Sequence, residues 1–155
     1  MKICIAAVGQ RMPSWAEEAI GEFLARLPRD FQIELRAVKA ETRKGQPVAR
    51  TRATEASRLA AVLPADSFVI ALDEKGRDWT SAQFAASLSA WRDAGRPPAF
   101  VLGGADGLDP QFMERAALRL RLSSMTLPHA LARVVLVEQL YRAWSILSAH
   151  PYHRS

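Results

Sequence analysis

The sequence predicts an α/β protein with a mainly parallel sheet flanked by helices. Three observations predict it. Residues 3–8 (ICIAAV), 67–72 (SFVIAL) and 99–102 (AFVL) are short, nearly unbroken apolar runs. Runs of that length without a polar face read as strands buried on both sides. Between them lie segments whose apolar residues recur at helical spacing, with Gly or Pro separating the two kinds. Strands that alternate with helices imply crossover connections and hence a parallel sheet. At 155 residues the chain is read as one unit, 1–155, long enough to bury a core.

Taken in order, the first strand (3–8) is broken by Gly9 to Pro13. Ser14 and Glu17 stand at capping-box spacing. Trp15, Ala19, Ile20, Phe23, Leu24 and Leu27 then mark the buried stripe of a helix closed by Pro28. Residues 31–37 alternate: Phe31, Ile33, Leu35 and Ala37 against Gln32, Glu34 and Arg36. That is the pattern of a half-buried strand at a sheet edge. After Gly45 and Pro47, an Ala-rich helix runs from Val48 to Leu63 and stops at Pro64. The strand 67–72 ends at Asp73, and Gly76 marks a loop. Thr80 and Gln83 form a second capping box; Phe84, Leu88 and Trp91 are the buried stripe of a helix ending by Gly95. The strand 99–102 runs directly into Gly103–Gly107, and Asp109 and Pro110 read as N-cap and first residue of the next helix. Residues 118–122 alternate Leu118, Leu120 and Leu122 with Arg119 and Arg121 as a last strand.

The final helix, Ala130 to Leu147, is apolar nearly all round, with Glu138, Arg142 and Ser145 as one narrow polar strip. Such a helix must be covered on more than one side. The sheet covers one face. A second copy of the chain is expected to cover another, so the protein is read as a homodimer.

The net charge is +5, and its distribution is uneven. Between Arg36 and Arg58 there are seven basic residues against Glu41 and Glu55, which leaves +5 in that window alone. A polyanionic partner is the reading this favours over a merely solvated loop. The single cysteine, Cys4, excludes an internal disulfide and fits a reducing compartment. The N-terminus is too short in apolar residues for a signal peptide, and no run reaches the length of a membrane span. A soluble, cytoplasmic protein is expected.

Ligands of parallel α/β sheets bind outside the carboxyl ends of the strands. The loops after Leu72, Leu102 and Leu122 are therefore where a site is expected. They carry Asp73-Glu74, the run GGADG, and Ser123 to His129. Glycines between a strand and a helix let a ligand approach the backbone. The run is neither GxGxxG nor a Walker sequence, which argues against a dinucleotide or a nucleoside triphosphate. All three histidines, His129, His150 and His153, fall in the last fifth of the chain. The spacing HPYH lacks a cysteine or carboxylate beside it, so no metal is expected. Without a GxSxG elbow, Ser123 and Ser124 do not read as nucleophiles. Tyr152, His153 and Arg154 are groups that stack on or hydrogen-bond a nucleic base.

The start (KICIAAVGQRMPSW), the middle (VLGGADGL) and above all SSMTLPHALARVVLVEQLYRAWSI with HPYHR resemble the RlmH-type SPOUT methyltransferases across essentially the whole chain. The resemblance implies an α/β sheet whose C-terminal part is tucked into a trefoil knot, in a homodimer. It implies methylation of N3 of a pseudouridine in the helix 69 loop of 23S ribosomal RNA, on the large subunit or assembled ribosome, with S-adenosylmethionine as cofactor. Carried over by position, the cofactor contacts are Leu72, Gly104, Ser123, Ser124, Met125, Thr126, Leu127 and Pro128. Two departures stand out: GGADG where the family usually has GGPEG, and Ser155 where it usually ends in Glu.

Within that resemblance, Arg154 and Tyr152 are candidates for holding the charge on the deprotonated base, and His129 or His153 for accepting its proton. Arg43, Lys44, Arg50 and Arg52 would grip RNA backbone, with Arg142 on a phosphate or the tail. The competing expectation is a non-catalytic ribosome- or RNA-binding protein of the same fold.

Overall fold

A computed structural model describes residues 1–154; Ser155, the second departure named above, lies outside the described residues. Five strands and five helices alternate: β1 (Lys2–Val8), α1 (Ser14–Arg26), β2 (Gln32–Val38), α2 (Val48–Val62), β3 (Phe68–Asp78), α3 (Ser81–Asp93), β4 (Pro98–Leu102), α4 (Pro110–Arg115), β5 (Leu118–Arg121) and α5 (His129–Leu147). A 3-10 turn, Pro151–Arg154, ends the described chain. The strands form one parallel sheet in the order β2-β1-β4-β3-β5. All carboxyl ends thus lie at one edge, and the loops after Leu102 and Leu122 leave from it.

Strand alternation divides the core in two. Ile3, Ile5 and Ala7 of β1 with Phe100 of β4 face α1, α3 and α5, where Ile20, Leu88, Leu136 and Leu140 are buried. Ala6, Val8 and Val101 face the other way, against Leu59 of α2 and Phe112 and Met113 of α4. Helices on both faces explain why β1 and β4 carry no polar side. The edge strand β2 keeps its alternating pattern because one of its faces meets water.

Local signals were largely obeyed. Thr80 accepts from the Gln83 N–H at 3.1 Å and Gln83 Oε1 accepts from the Thr80 N–H at 2.8 Å, the full capping box. Asp109 Oδ2 accepts from Phe112 N–H at 3.1 Å, with Pro110 in the first turn. Three expectations need correction. Ser14 is the first residue of α1 rather than its cap; Pro13 takes the cap position and no side chain bonds there. Trp15 is 52% exposed, so it lies off the buried stripe that Ile20 leads. And β3 does not end at Asp73 but continues to Asp78.

That continuation shapes the site. Leu72 pairs with Leu120, and after a register shift Arg77 pairs with Leu120 again. Between them Gly76 lies on the β5 backbone: a Cβ there would sit 2.6 Å from Leu120 N and 2.8 Å from Arg119 C. Only glycine permits two main chains so close.

Arg133 of α5 was not foreseen. It is 2% exposed, and its Nη2 donates to Val8 O at 3.2 Å and Gly9 O at 3.1 Å, at the carboxyl end of β1. Its Nε has no hydrogen-bond partner among the described residues, and burial pushes its pKa down. A buried guanidinium is tolerable only when its donors find acceptors. Here two backbone carbonyls tie the start of α5 to the strand end.

Gly76→Val is expected to destabilise the fold by about 2–4 kcal/mol, because the added carbons meet backbone rather than a side chain that can move. Gly21→Ala in α1, where nothing lies within 4 Å of the added carbon, should instead stabilise by about 0.5–1 kcal/mol. Denaturant midpoints with slopes for the two variants check both; a neutral Gly76→Val would contradict the backbone contact.

Candidate functional site

The ends of β3, β4 and β5 and the first turn of α5 enclose a pocket of about 810 Å³. Of the positions expected to hold cofactor, Leu72, Gly104, Ser123, Met125, Thr126, Leu127 and Pro128 line it; Ser124 does not. His129 and Ala132 line it from α5. Its wall is amphipathic: Leu102, Leu108 and Leu122 offer apolar surface, while Asp73, Glu74, Arg52 and Arg121 bring charge. That mixture suits a ligand with a flat apolar part and a charged part. Among the described residues no cluster of metal-ligating side chains occurs, and no helix is long and apolar enough to cross a membrane.

The glycine turn is built tightly. Gly107 N–H donates to Gly104 O at 3.1 Å, and the two residues form an isolated bridge. A Cβ on Gly103 would lie 2.6 Å from Gly107 C, so that position must be glycine for the turn to close. Beneath it, Glu55 of α2 is 5% exposed and accepts from Glu41 N–H at 3.1 Å. Arg43 Nε and Nη2 donate to the two carboxylate oxygens of Asp106, each at 3.0 Å, and Arg52 Nε donates to Asp106 O at 2.6 Å. Arg43 and Arg52, two of the arginines expected to grip RNA, thus also bond to the turn of the pocket. Lys44 and Arg50 stay exposed.

The α5 N-terminus opens at the pocket with Pro128 at its cap and no side-chain cap bond. Its first backbone N–H groups lack intrahelical acceptors and suit an anionic group.

The tail leaves the far end of α5 and folds back along it: the Tyr152 hydroxyl reaches Glu138, midway along the helix, about 14 Å from His129 along the axis at 1.5 Å per residue. Of the four residues expected to be catalytic, only His129 lines the pocket; Tyr152, His153 and Arg154 do not. The tail is docked rather than frayed. Tyr152 O–H donates to Glu138 Oε1 at 3.1 Å, its ring meets Tyr141 edge-on at 4.7 Å, and the Arg142 guanidinium lies over it at 5.1 Å. Arg142 also pairs with Glu138 at 2.7 Å. Ser145, fully buried, donates to His150 O at 2.8 Å and accepts from His153 N–H at 3.1 Å. Its single hydroxyl proton is then committed, so the 2.8 Å contact to His153 Nδ1 is satisfied by an Nδ1–H. That tautomer leaves Nε2 of His153 as an acceptor.

Sequence reasoning picked the three loops but missed Arg133, Asp106 and Glu55. A lone arginine inside the apolar run LARVVLVEQL was the available signal for the first. The partners of Asp106 and Glu55 lie too far away in the chain to leave a pattern.

A parallel sheet with helices on both faces, a pocket at its strand ends lined by a glycine turn, and a long apolar last helix opening onto that pocket define an α/β protein with a strand-end ligand site. The family described as Predicted SPOUT methyltransferase matches residues 1–153, and the chain belongs to it. Similar relatives are the Ribosomal RNA large subunit methyltransferase H of Burkholderia thailandensis, 54% identical over the whole of both chains, and that of Burkholderia ambifaria, 52% identical over the same extent. Among solved structures, a probable methylase family protein from Haemophilus influenzae shares the fold at a TM-score of 0.58 and 16% identity, over 97% of this chain and 69% of that one.

Burial and the Glu138 carboxylate push the Tyr152 phenol above its ordinary value. A raised pKa in the folded state means the docked form is fully favoured below the ordinary phenol range, about 10, and is lost as pH rises through the shifted value. The Tyr152 ring signals in an NMR titration should therefore move only above about pH 10, and Tyr152→Phe should remove that transition. A Tyr152 titrating below the ordinary range would contradict the contact with Glu138.

Proposed function

We propose that this chain transfers a methyl group from S-adenosylmethionine to N3 of a pseudouridine in the helix 69 loop of 23S ribosomal RNA, on the large subunit or assembled ribosome and hence in the cytoplasm. The observation that carries the reading is a pocket at the strand ends in a chain that matches large-subunit methyltransferases over its whole length. The residues present suit the cofactor. Leu72, Gly104, Ser123, Met125, Thr126, Leu127 and Pro128 would hold it against strand-end backbone, with Ser124 a neighbour in the same loop, and the uncapped start of α5 would take its carboxylate. When bound, S-adenosylmethionine supplies an activated methyl on a sulfonium.

The chain's own work is alignment and charge control. Much of the rate comes from holding the acceptor nitrogen in line with the methyl. N3 gives up its proton as it takes the methyl, and negative charge falls on the flanking oxygens. Arg154 and the Tyr152 hydroxyl would hold that charge. His153, with its proton on Nδ1 and Nε2 open, is suited to accept the N3 proton; His129 is the second candidate.

Tyr152, His153 and Arg154 do not line the pocket of their own chain. We infer a homodimer in which the tail of one copy completes the pocket of the other. The half-buried apolar residues of α5, with Trp15 at 52% exposure on α1, supply surface for that contact. Membership of the SPOUT family supports a trefoil knot in the C-terminal part of the chain. Lys44 and Arg50 are exposed cations suited to RNA phosphate, with Arg142 bracing the tail.

Labelled methyl from S-adenosylmethionine should pass to intact ribosomes from cells lacking this protein, at one pseudouridine, and not to protein-free ribosomal RNA. No label in either sample, with no cofactor binding, would leave the non-catalytic ribosome binder. For the composite site, a tail variant (Tyr152→Ala with Arg154→Ala) and a pocket variant (Leu127→Trp) should each be inactive. Mixed and re-associated, they should recover roughly a quarter of the wild-type rate, the share of sites that pair an intact pocket with an intact tail. No recovery would refute completion of the pocket by the partner.

A further inference from the structure

We propose that Arg43 and Asp106 are positioning residues for the cofactor: their ion pair holds the turn between β4 and α4 in the shape that receives it. The inference rests on the cofactor reading above and goes beyond it. Residues Gly103 to Leu108 form one wall of the pocket, and Asp106 stands at the middle of that wall. The turn has few anchors of its own. Gly107 bonds back to Gly104, but Ala105 carries no group that could brace the loop. Gly103, Gly104 and Gly107 add no side chains that could anchor it to the rest of the fold.

The missing restraint comes from 63 residues away. Arg43 grips the Asp106 carboxylate through two bonds, Nε to Oδ2 and Nη2 to Oδ1, each 3.0 Å. A two-point grip sets direction as well as distance. The Asp106 side chain is only 11% exposed against 64% for Arg43, so the carboxylate is shielded while the cation reaches over it from outside. Arg52 adds a bond to the carbonyl of the same residue at 2.6 Å and itself lines the pocket. The segment that carries Arg43 has no regular structure, yet Glu41 ties it down through Glu55 and Arg58. Backbone and side chain of Asp106 are thus both held from the basic segment. An arginine committed in this way is not spare charge for RNA, and phosphate contact falls to Lys44 and Arg50.

The two roles separate by experiment. Cofactor affinity is measured by calorimetry on the dimeric protein, and ribosome methylation by KM and kcat for each substrate. Asp106→Asn and Arg43→Ala should each weaken S-adenosylmethionine binding roughly three- to tenfold. They should raise its KM while kcat at saturating cofactor falls far less. Combining the two should add little beyond either one, because both remove the same tie. Arg43→Lys should restore only part of the affinity, since an ammonium cannot make the two-point grip. Lys44→Ala with Arg50→Ala should raise KM for ribosomes and flatten its salt dependence while leaving cofactor affinity alone. In the cofactor-free protein, Asp106→Asn should speed amide exchange at Gly103–Gly107 and leave the rest of β4 protected.

Unchanged cofactor affinity in both single variants, or fully additive losses in the double, overturns the positioning role. So does an Arg43→Ala effect confined to ribosome KM, which would return Arg43 to the RNA side. Failure of the wild-type protein to bind S-adenosylmethionine would instead overturn the cofactor reading beneath it.

Discussion

Two main chains touch where Gly76 lies on the backbone of Arg119 and Leu120, and much of the pocket follows from that contact. Because β3 stays against β5 beyond Leu72, residues 73–75 are held as a wall beside the strand ends. Because β5 is gripped at Leu120 from Leu72 and again from Arg77, the loop that leaves it has a defined origin. That loop, residues 122–128, supplies the opposite wall and delivers the start of α5 to the pocket. A side chain at position 76 would push the two strands apart and open the site from its base.

The arginines of the chain work largely as internal braces. Arg36 bonds Val62 O, Arg52 bonds Asp106 O, Arg58 bonds Lys39 O, and Arg133 bonds Val8 O and Gly9 O. Strand ends and turns leave carbonyls without ladder partners, and a guanidinium with five donors can reach several of them. Several arginines are thus committed to the chain's own carbonyls, and in the window at 36–58 fewer guanidiniums are free of such bonds than the count of residues implies.

The last helix acts as a spacer. It carries His129 at the pocket and Ser145, which orients the tail, more than about four turns away. Its buried side is set by α1 and α3, where Leu136, Leu140 and Ala143 pack. The bond from Ser81 to Gln139 at 2.6 Å fixes its rotation against α3. The same rigidity leaves Tyr152, His153 and Arg154 outside the pocket of their own chain.

Much of this was written locally. The apolar runs placed β1, β3 and β4, alternation identified β2 as an edge strand, and the caps at Thr80 and Asp109 were readable because capping depends on residues three apart. The strand-end rule then selected the loops that line the pocket. What the chain order could not show were contacts between distant segments: the continuation of β3 past Asp73, the burial of Arg133 against β1, the outward face of Trp15 and the tie from Arg43 to Asp106. Periodicity reports which face of an element is apolar, and does so within a few turns. Which element lies opposite, and how far apart two motifs end up, is decided by the crossovers and the length of α5. So the sequence by itself determined the strands, the loops and the residue types of the site, while the tertiary structure alone decided that the tail and the pocket of one chain do not meet.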